Sequence, residues 1–231
     1  MKGESLIIKD LFWKILQIRM KRWTRAGIHE FLDENLHLVN KNNILVIGGF
    51  GPILDFIERK SIGNVIETLD IELKHKPDYL FDISHKKLPD LINKKFDKII
   101  CIEVLEHVPN YQKALENIYD LLEKGGTIIG STPWIIPLHD QPFDFHRFTY
   151  FEIERVLKLS GFSHITIESR GNFLDSILAL GIRGLISPNK IDKITSVFFT
   201  IVTLFLPRPK RIKGSQYSTI GYSFTAKKML E

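Results

Sequence analysis

Asn43-Ile44-Leu45-Val46-Ile47-Gly48-Gly49-Phe50-Gly51-Pro52 is the stretch on which the fold turns. Its apolar run carries no polar alternation, which marks a strand buried on both faces and hence a parallel sheet. Gly48, Gly49 and Gly51 let the backbone approach a ligand where any Cβ would clash. Pro52 suits the first turn of a helix over 52–59, whose free N–H groups would point at that ligand. A dinucleotide fingerprint would need a third glycine where Leu54 stands.

Outward from this unit the pattern repeats. Strands are expected at Asn64–Leu69 ending at Asp70, Tyr79–Phe81 ending at Asp82, Lys98–Ile102 before Glu103, and Thr127–Ile129. Two more follow at His164–Glu168 and Tyr222–Ala226. Helices are expected over Tyr111–Glu123, stopped by Gly125-Gly126, and over Thr149–Leu159. Strands alternating with helices mean βαβ units. Ligands of such sheets sit at the carboxyl ends of the strands. Here those ends are Gly48–Gly51, Asp70, Asp82 and Glu103.

The 231 residues make one domain of ordinary size, or one domain with decorations. A single cysteine, Cys101, excludes a disulfide framework and a Cys-based zinc site, and points to a reducing, cytoplasmic compartment. No metal ligand set is assigned. Lys9 and Asp10 break the first apolar run, so no secretory signal is expected. The net charge of +5 is unevenly spread: +5 over 1–25, −7 over 26–182 and +7 over 183–231. A nucleic-acid enzyme would carry its positive charge around the site, so no nucleic-acid partner is expected. Basic ends that also hold apolar helices suit an anionic membrane surface, through 5–25 and 191–213.

Ser5 to Arg25 reads as a basic amphipathic helix with Ser5 as N-cap. It either covers the main domain or lies in a membrane interface. Residues 171–217 interrupt the α/β pattern with two apolar helices, Phe173–Leu185 and Ile191–Leu206, closed by Pro207-Arg208-Pro209-Lys210-Arg211. They face lipid, cover the site or form a homodimer contact. The 13-residue run Ile194–Leu206 spans about 20 Å as a helix, too short for a core of about 30 Å.

Asp70 is placed to accept from both hydroxyls of a ribose, or is a solvated strand-end acid. Asp82 beside Ile83 suits an adenine edge, or caps the following turn. Glu103, Glu106 and His107 could act as bases or hold a cation. In 137–149, His139 or His146 could take a hydroxyl proton, and Arg147 could hold a phosphate or carboxylate. Otherwise Asp144 and Arg147 pair to brace a loop and Thr149 caps the next helix.

Phe96–Val108 with its Leu105-Glu106-His107-Val108 run, Ala114-Leu115, and Leu121-Leu122-Glu123-Lys124-Gly125-Gly126 through Ile129 resemble the core of class I S-adenosylmethionine (SAM)-dependent methyltransferases, closest to type 11. The resemblance covers about 40–170, with Tyr222–Lys228 matching the final strand. It implies a Rossmann-like α/β fold with a mostly parallel seven-stranded sheet and helices on both faces. An N-terminal helix and a helical insertion before the last strand are added to it. It divides the chain into an extension (1–40), a SAM-binding core (41–170), an insertion (171–217) and a closing strand (218–231).

The cofactor it implies is SAM. Gly48, Gly49 and Gly51 would lie along its methionine part, Asp70 and Ile71 at the ribose, Asp82 and Ile83 at the adenine, and Ile102 and Glu103 in the cleft. Val46 stands where the family usually has an acid. His139-x-x-Pro142-x-Asp144-Phe145-x-Arg147-Phe148-Thr149 looks like a stretch of methyltransferase-like proteins of glycan biosynthesis. The expected activity is methylation of a hydroxyl on a sugar, lipid-linked glycan or small molecule by a cytoplasmic, membrane-associated enzyme. His107, His139, Asp144, His146 and Arg147 are its candidate catalytic groups. The alternatives are a non-catalytic membrane-associated scaffold and an NAD(P)-dependent nucleotide-sugar oxidoreductase.

Overall fold

The computed structural model describes residues 11, 13–16, 18, 20, 21, 23–36, 42–86, 88–214 and 216–230. Ser5, Ile8 and Phe12 of the expected first helix, with Arg19 and Arg22, lie outside the described residues. Its described part, α1, is helical over 11–24. Then come α2 (Ile28–Leu36), β1 (Asn43–Ile47), α3 (Pro52–Lys60), β2 (Val65–Asp70), β3 (Tyr79–Leu80), α4 (Leu88–Ile92) and β4 (Phe96–Ile102). The second half holds α5 (Tyr111–Leu121), β5 (Leu122–Pro133), α6 (Tyr150–Leu159), β6 (Ser163–Arg170), α7 (Phe173–Arg183), α8 (Lys190–Leu204), β7 (Arg211–Lys213) and β8 (Gly221–Lys227).

The sheet runs β3-β2-β1-β4-β5-β8-β6-β7. β1 to β5 are parallel, and β8 enters antiparallel between β5 and β6. The order reverses beside β1, so the turns after β1, β2 and β4 open on one edge, where a ligand fits between diverging connections.

The sequence predicts seven strands; the sheet formed by the described residues has eight. The extra one, β7, pairs with the end of β6 through Ser169–Ile212 and Arg170–Arg211. Its three residues lie in a stretch that reads as a basic, proline-stiffened turn. A short charged edge strand carries no hydrophobic alternation to betray it. Arg211 is not a free surface cation either: its guanidinium donates to Glu168 at 2.8 Å and to Glu34.

Strand alternation divides the core. Ile44 and Val46 of β1, with Ile100 and Ile129, face Ile28, Phe31, Leu32 and Ile57 of α2 and α3. Leu45 and Ile47, with Ile99, Cys101 and Ile128, face Ala114, Leu115, Ile118, Ile153 and Leu157 of α5 and α6. Asn110 caps α5 by accepting from the Lys113 N–H at 3.1 Å, and Thr149 caps α6 from Glu152 at 3.1 Å.

A third cluster lies outside the sheet. Leu16, Met20 and Trp23 of α1 pack on Leu178, Ala179, Ile182 and Leu185 of the α7 region. Both readings of the first helix therefore keep a structural basis: one face is docked, while Leu11, Ile15 and Ile18 are exposed.

α8 is built inside out. It buries Ser196, Thr200 and Thr203 and exposes Ile191, Ile194, Phe198, Ile201 and Leu204. Ser196 Oγ donates to the Gly181 carbonyl at 2.5 Å. Gly181 is needed for this approach, since a Cβ there would lie 2.4 Å from the Phe199 ring.

Trp23 is the largest fully buried side chain. Trp23→Ala is expected to destabilise the protein by about 3–5 kcal/mol, read as a lower urea midpoint. An unchanged midpoint would mean that α1 does not dock on α7.

Candidate active site

The turn after β1 starts the cleft. The Gly48 N–H donates to the Leu69 carbonyl at 2.8 Å, tying the turn to β2. Gly51 has φ +60°, and a Cβ there would meet nothing within 4 Å. It borders open space at the start of α3, whose N-terminus has no side-chain cap. Gly49 answers the missing acid: a Cβ on it would lie 2.2 Å from Val46 Cγ1, so Val46 occupies that slot.

Asp70 ends β2 and is only 7% exposed. Its Oδ1 accepts from the Glu72 N–H at 2.8 Å, and its Oδ2 lies 2.9 Å from His75 Nδ1. The His75 ring stacks on Phe50, centroids 3.8 Å apart. A carboxylate has about four acceptor sites, so two remain for ribose hydroxyls once His75 swings aside. Ile71 and Leu73 are exposed beside it and offer an apolar platform. At the end of β3, Asp82 Oδ1 accepts from the Ser84 N–H and hydroxyl, both at 2.8 Å. Asp82 thus shapes the turn and keeps Oδ2 uncommitted in these bonds. Ile83 is buried, and its carbonyl accepts from Asn117 at 2.7 Å. The open glycine, the uncapped helix, the strand-end acid and the apolar platform fit an adenosyl group, with His75 as the piece that must move.

At β4, Ile102 is half-buried and Glu103 sits at φ +54°, an uncommon backbone state for a side chain of its kind. Glu103 Oε1 accepts from Ser131 Oγ at 3.0 Å and from Arg170 Nη2 at 2.8 Å. Arg170, at the end of β6, is buried and keeps Nε and Nη1 without hydrogen-bond partners.

The structure brings the 103–108 and 137–149 stretches together. The Glu106 carbonyl accepts from the Phe145 and His146 N–H groups at 2.9 and 3.1 Å. His107 Nδ1 lies 2.7 Å from the Phe143 carbonyl, and the His107 and His139 rings meet edge to face at 4.8 Å. Burial lowers the His139 pKa against the raising field of Asp144, keeping the ring neutral and basic near pH 7. Asp144 stands behind it, 3.2 Å from Nδ1. Arg147 forks onto Asp144 at 2.5 and 2.8 Å and also donates to the His146 carbonyl. These bonds hold the Asp144 carboxyl far below the usual range and engage Arg147 in bracing the loop. His146 lies apart, 3.3 Å from the Pro109 carbonyl and against Tyr111.

A cavity of about 310 Å³ opens between these strand ends and the α1–α7 layer. His107, His139, Asp140 and Glu103 line it together with Lys21, Arg25, Arg170 and Arg183. Asp144, His146 and Arg147 do not line it. Four features escaped the sequence reading: Arg170, Arg183, Asp140 and the His75–Asp70 contact. An arginine closing the otherwise ordinary strand β6 was the one available signal.

The chain matches the family model described as a methyltransferase domain over residues 21–167. No curated protein matches it. Among solved structures, a SAM-dependent methyltransferase from Thermotoga maritima is 12% identical, with 97% of each chain covered and a TM-score of 0.50. One from Archaeoglobus fulgidus is 16% identical over 90% of this chain and 97% of that one, TM-score 0.54. Phosphoethanolamine N-methyltransferase 2 of Haemonchus contortus, in complex with S-adenosyl-L-methionine, is 13% identical with a TM-score of 0.53. The match covers 91% of this chain and 56% of that one. At these identities the likeness is one of fold. The family model spans more than half of the sequence, and the chain belongs to the methyltransferase domain family, with a fold that binds SAM.

Proposed function

We propose that the protein methylates a hydroxyl on an anionic, lipid-linked acceptor, a sugar being the class that fits best. The carrying observation is the lining of the cavity: two imidazoles, and two arginines with unpartnered Nε atoms, Arg170 and Arg183. Unpartnered buried donors favour an anion such as a phosphate or carboxylate.

Bound SAM supplies an electrophilic methyl group on a sulfonium. Gly51 and the start of α3 would hold its methionine part, Asp70 the ribose, and Ile71 with Ile83 the adenine. The chain's task is then to orient and to move a proton. Arg170 and Arg183 seat the acceptor's anionic group. His139, braced by Asp144 and Arg147, takes the hydroxyl proton at Nε2. The proton taken from the acceptor hydroxyl stays on the His139 imidazole until solvent removes it. Positioning of this kind contributes about 7–11 kcal/mol in well-oriented pairs.

The inside-out helix α8 supports a lipid-facing role. Small polar residues between helices with apolar residues outward is the arrangement membranes favour. Arg208 and Lys210 are exposed next to it, as an anionic surface requires. No helix among the described residues is long and apolar enough to cross a membrane. The α7–α8 pair would lie in the interface and present the cavity to a headgroup.

Calorimetric titration with SAM tests the cofactor half. Asp70→Ala is expected to weaken binding at least tenfold, since each charge-assisted hydrogen bond contributes about 1.5–3 kcal/mol. His75→Ala is expected to strengthen it several-fold by freeing Oδ2. Binding unchanged in Asp70→Ala would remove this site. With an acceptor in hand, His139→Ala is expected to lower kcat by about 10²–10⁴ with SAM affinity unchanged; an equal kcat would dismiss His139 as the base. Flotation on phosphatidylglycerol vesicles tests the lipid half. Ile194→Glu with Phe198→Glu should abolish co-flotation and leave SAM binding intact, and co-flotation by the double variant would refute that face.

A further inference from the structure

Methyl transfer leaves one buried group behind the cavity's two histidines unexplained. Glu106 is fully buried, and neither of its carboxylate oxygens has a hydrogen-bond partner. A carboxylate in that state is costly unless a cation or a donor meets it. What faces it is a pair of imidazoles. Glu106 Oε1 lies 3.7 Å from His107 Nε2 and 4.0 Å from His139 Nε2. Both separations are beyond hydrogen-bond reach, so protonating either partner does not join them.

The rear side of each ring is held. His107 Nδ1 sits 2.7 Å from the Phe143 carbonyl and so carries the proton it donates there. His139 is held through its backbone N–H, which donates to Asp144 Oδ2 at 3.0 Å, while its Nδ1 lies 3.2 Å from the same carboxylate without a hydrogen bond. That arrangement sets the Nε2 of each ring toward Glu106. It is what the outer partners of metal-binding histidines do: they fix the tautomer and aim the other nitrogen. The three ligand atoms all lie within 4.8 Å of one another. Asp140 Oδ2, 3.9 Å from His107 Nε2, stands on the solvent side as a further oxygen.

We propose that Glu106, His107 and His139 hold a divalent transition-metal ion between the buried Glu106 and the cavity that the two histidines line, with Asp140 or the acceptor completing its coordination. Bonds of about 2.0–2.2 Å place neighbouring ligand atoms roughly 3–3.5 Å apart. The Glu106–histidine spacings of 3.7 and 4.0 Å exceed this by about 0.2–1 Å, and the widest in the set, up to 4.8 Å, by more than about 1 Å, which side-chain rotation must supply. Two imidazoles and one carboxylate select zinc-class ions over Mg²⁺ or Ca²⁺, which prefer all-oxygen ligands. The ion would neutralise Glu106 and meet an entering hydroxyl directly. With the ion bound the imidazoles are ligands, and the hydroxyl on the metal would lose its proton to solvent because the ion lowers its pKa; the His139 base of the proposed methyl transfer belongs to the metal-free protein. Binding of the ion is independent of SAM binding; only its task rests on the proposed methyl transfer.

Full-length protein freed of metal with a chelator is titrated with Co²⁺, read by visible absorption, and then with Zn²⁺ as competitor and Mg²⁺ as contrast. One Co²⁺ per chain is expected, displaced by Zn²⁺ and indifferent to Mg²⁺. Glu106→Gln and His139→Ala should each weaken Co²⁺ binding at least tenfold. His164→Ala, an exposed histidine at the opposite end of β6 from Arg170, should leave it unchanged. SAM titration of the same samples reports separately on the cofactor site, and circular dichroism on the fold. If Glu106→Gln does not fold, the half-exposed His107→Ala carries the same test. Folded protein that binds neither Co²⁺ nor Zn²⁺, or Co²⁺ binding that survives these substitutions, overturns the site.

Discussion

The pairing of Arg170 with Glu103 is the interaction on which the cleft depends. A guanidinium is placed where water scarcely reaches, at the junction of the antiparallel and parallel halves of the sheet. Removing one member of such a pair costs about 3–5 kcal/mol, because it strands the other charge. Arg170 Nη2 also donates to the Thr132 carbonyl at 3.2 Å, and the Arg170 carbonyl accepts from Ile220 and from Thr219 Oγ1. One residue thereby fixes the ends of β4, β5 and β6 and the entry to β8. Gly221 is part of the same constraint, since a Cβ there would lie 2.1 Å from Arg170 Nη2.

From that junction the acceptor side follows. The loop after β5 has no regular ladder to join, so its polar groups must find partners elsewhere. It finds them on the Glu106 carbonyl and on the His107 ring. Asp144 and Arg147 then lock each other, and the lock holds His139 in place. The histidines are therefore positioned by a chain of bonds that begins in the turn after β4. In this arrangement the Asp144–Arg147 pair acts on His139, and neither member reaches the cavity.

The layer of α1, α7 and α8 closes the cavity from the other side and contributes its cations. Its construction differs from that of the sheet. The sheet buries branched apolar residues and leaves polar groups at strand ends. α8 buries serine and threonine against α7 and turns Ile191, Ile194, Phe198, Ile201 and Leu204 outward, while α7 buries Leu178, Ala179 and Ile182 under α1 and exposes Leu174, Ile177 and Leu180. The hydrophobic effect alone would have packed those rows inside in water. Their outward placement is the physical basis for reading the layer as a lipid-facing surface.

The sequence by itself determined the α/β core. Unbroken apolar strands, a glycine turn, helix caps at Asn110 and Thr149 and strand-end acids are local signals, and the parallel order follows from their alternation. It also determined that His107, His139, Asp144 and Arg147 are exceptional, because they crowd beside motifs in short stretches. Tertiary structure alone decided their roles. Separations of more than 30 residues set Glu106 beside His139, and 67 set Arg170 beside Glu103. No local spacing encodes such meetings. The eighth strand was hidden for a related reason: an edge strand of three residues exists only because β6 offers it free hydrogen-bonding groups. Burial, likewise, is a property of the assembled layers. It turned Glu106 from one acid in a motif into an unpartnered carboxylate facing two imidazoles.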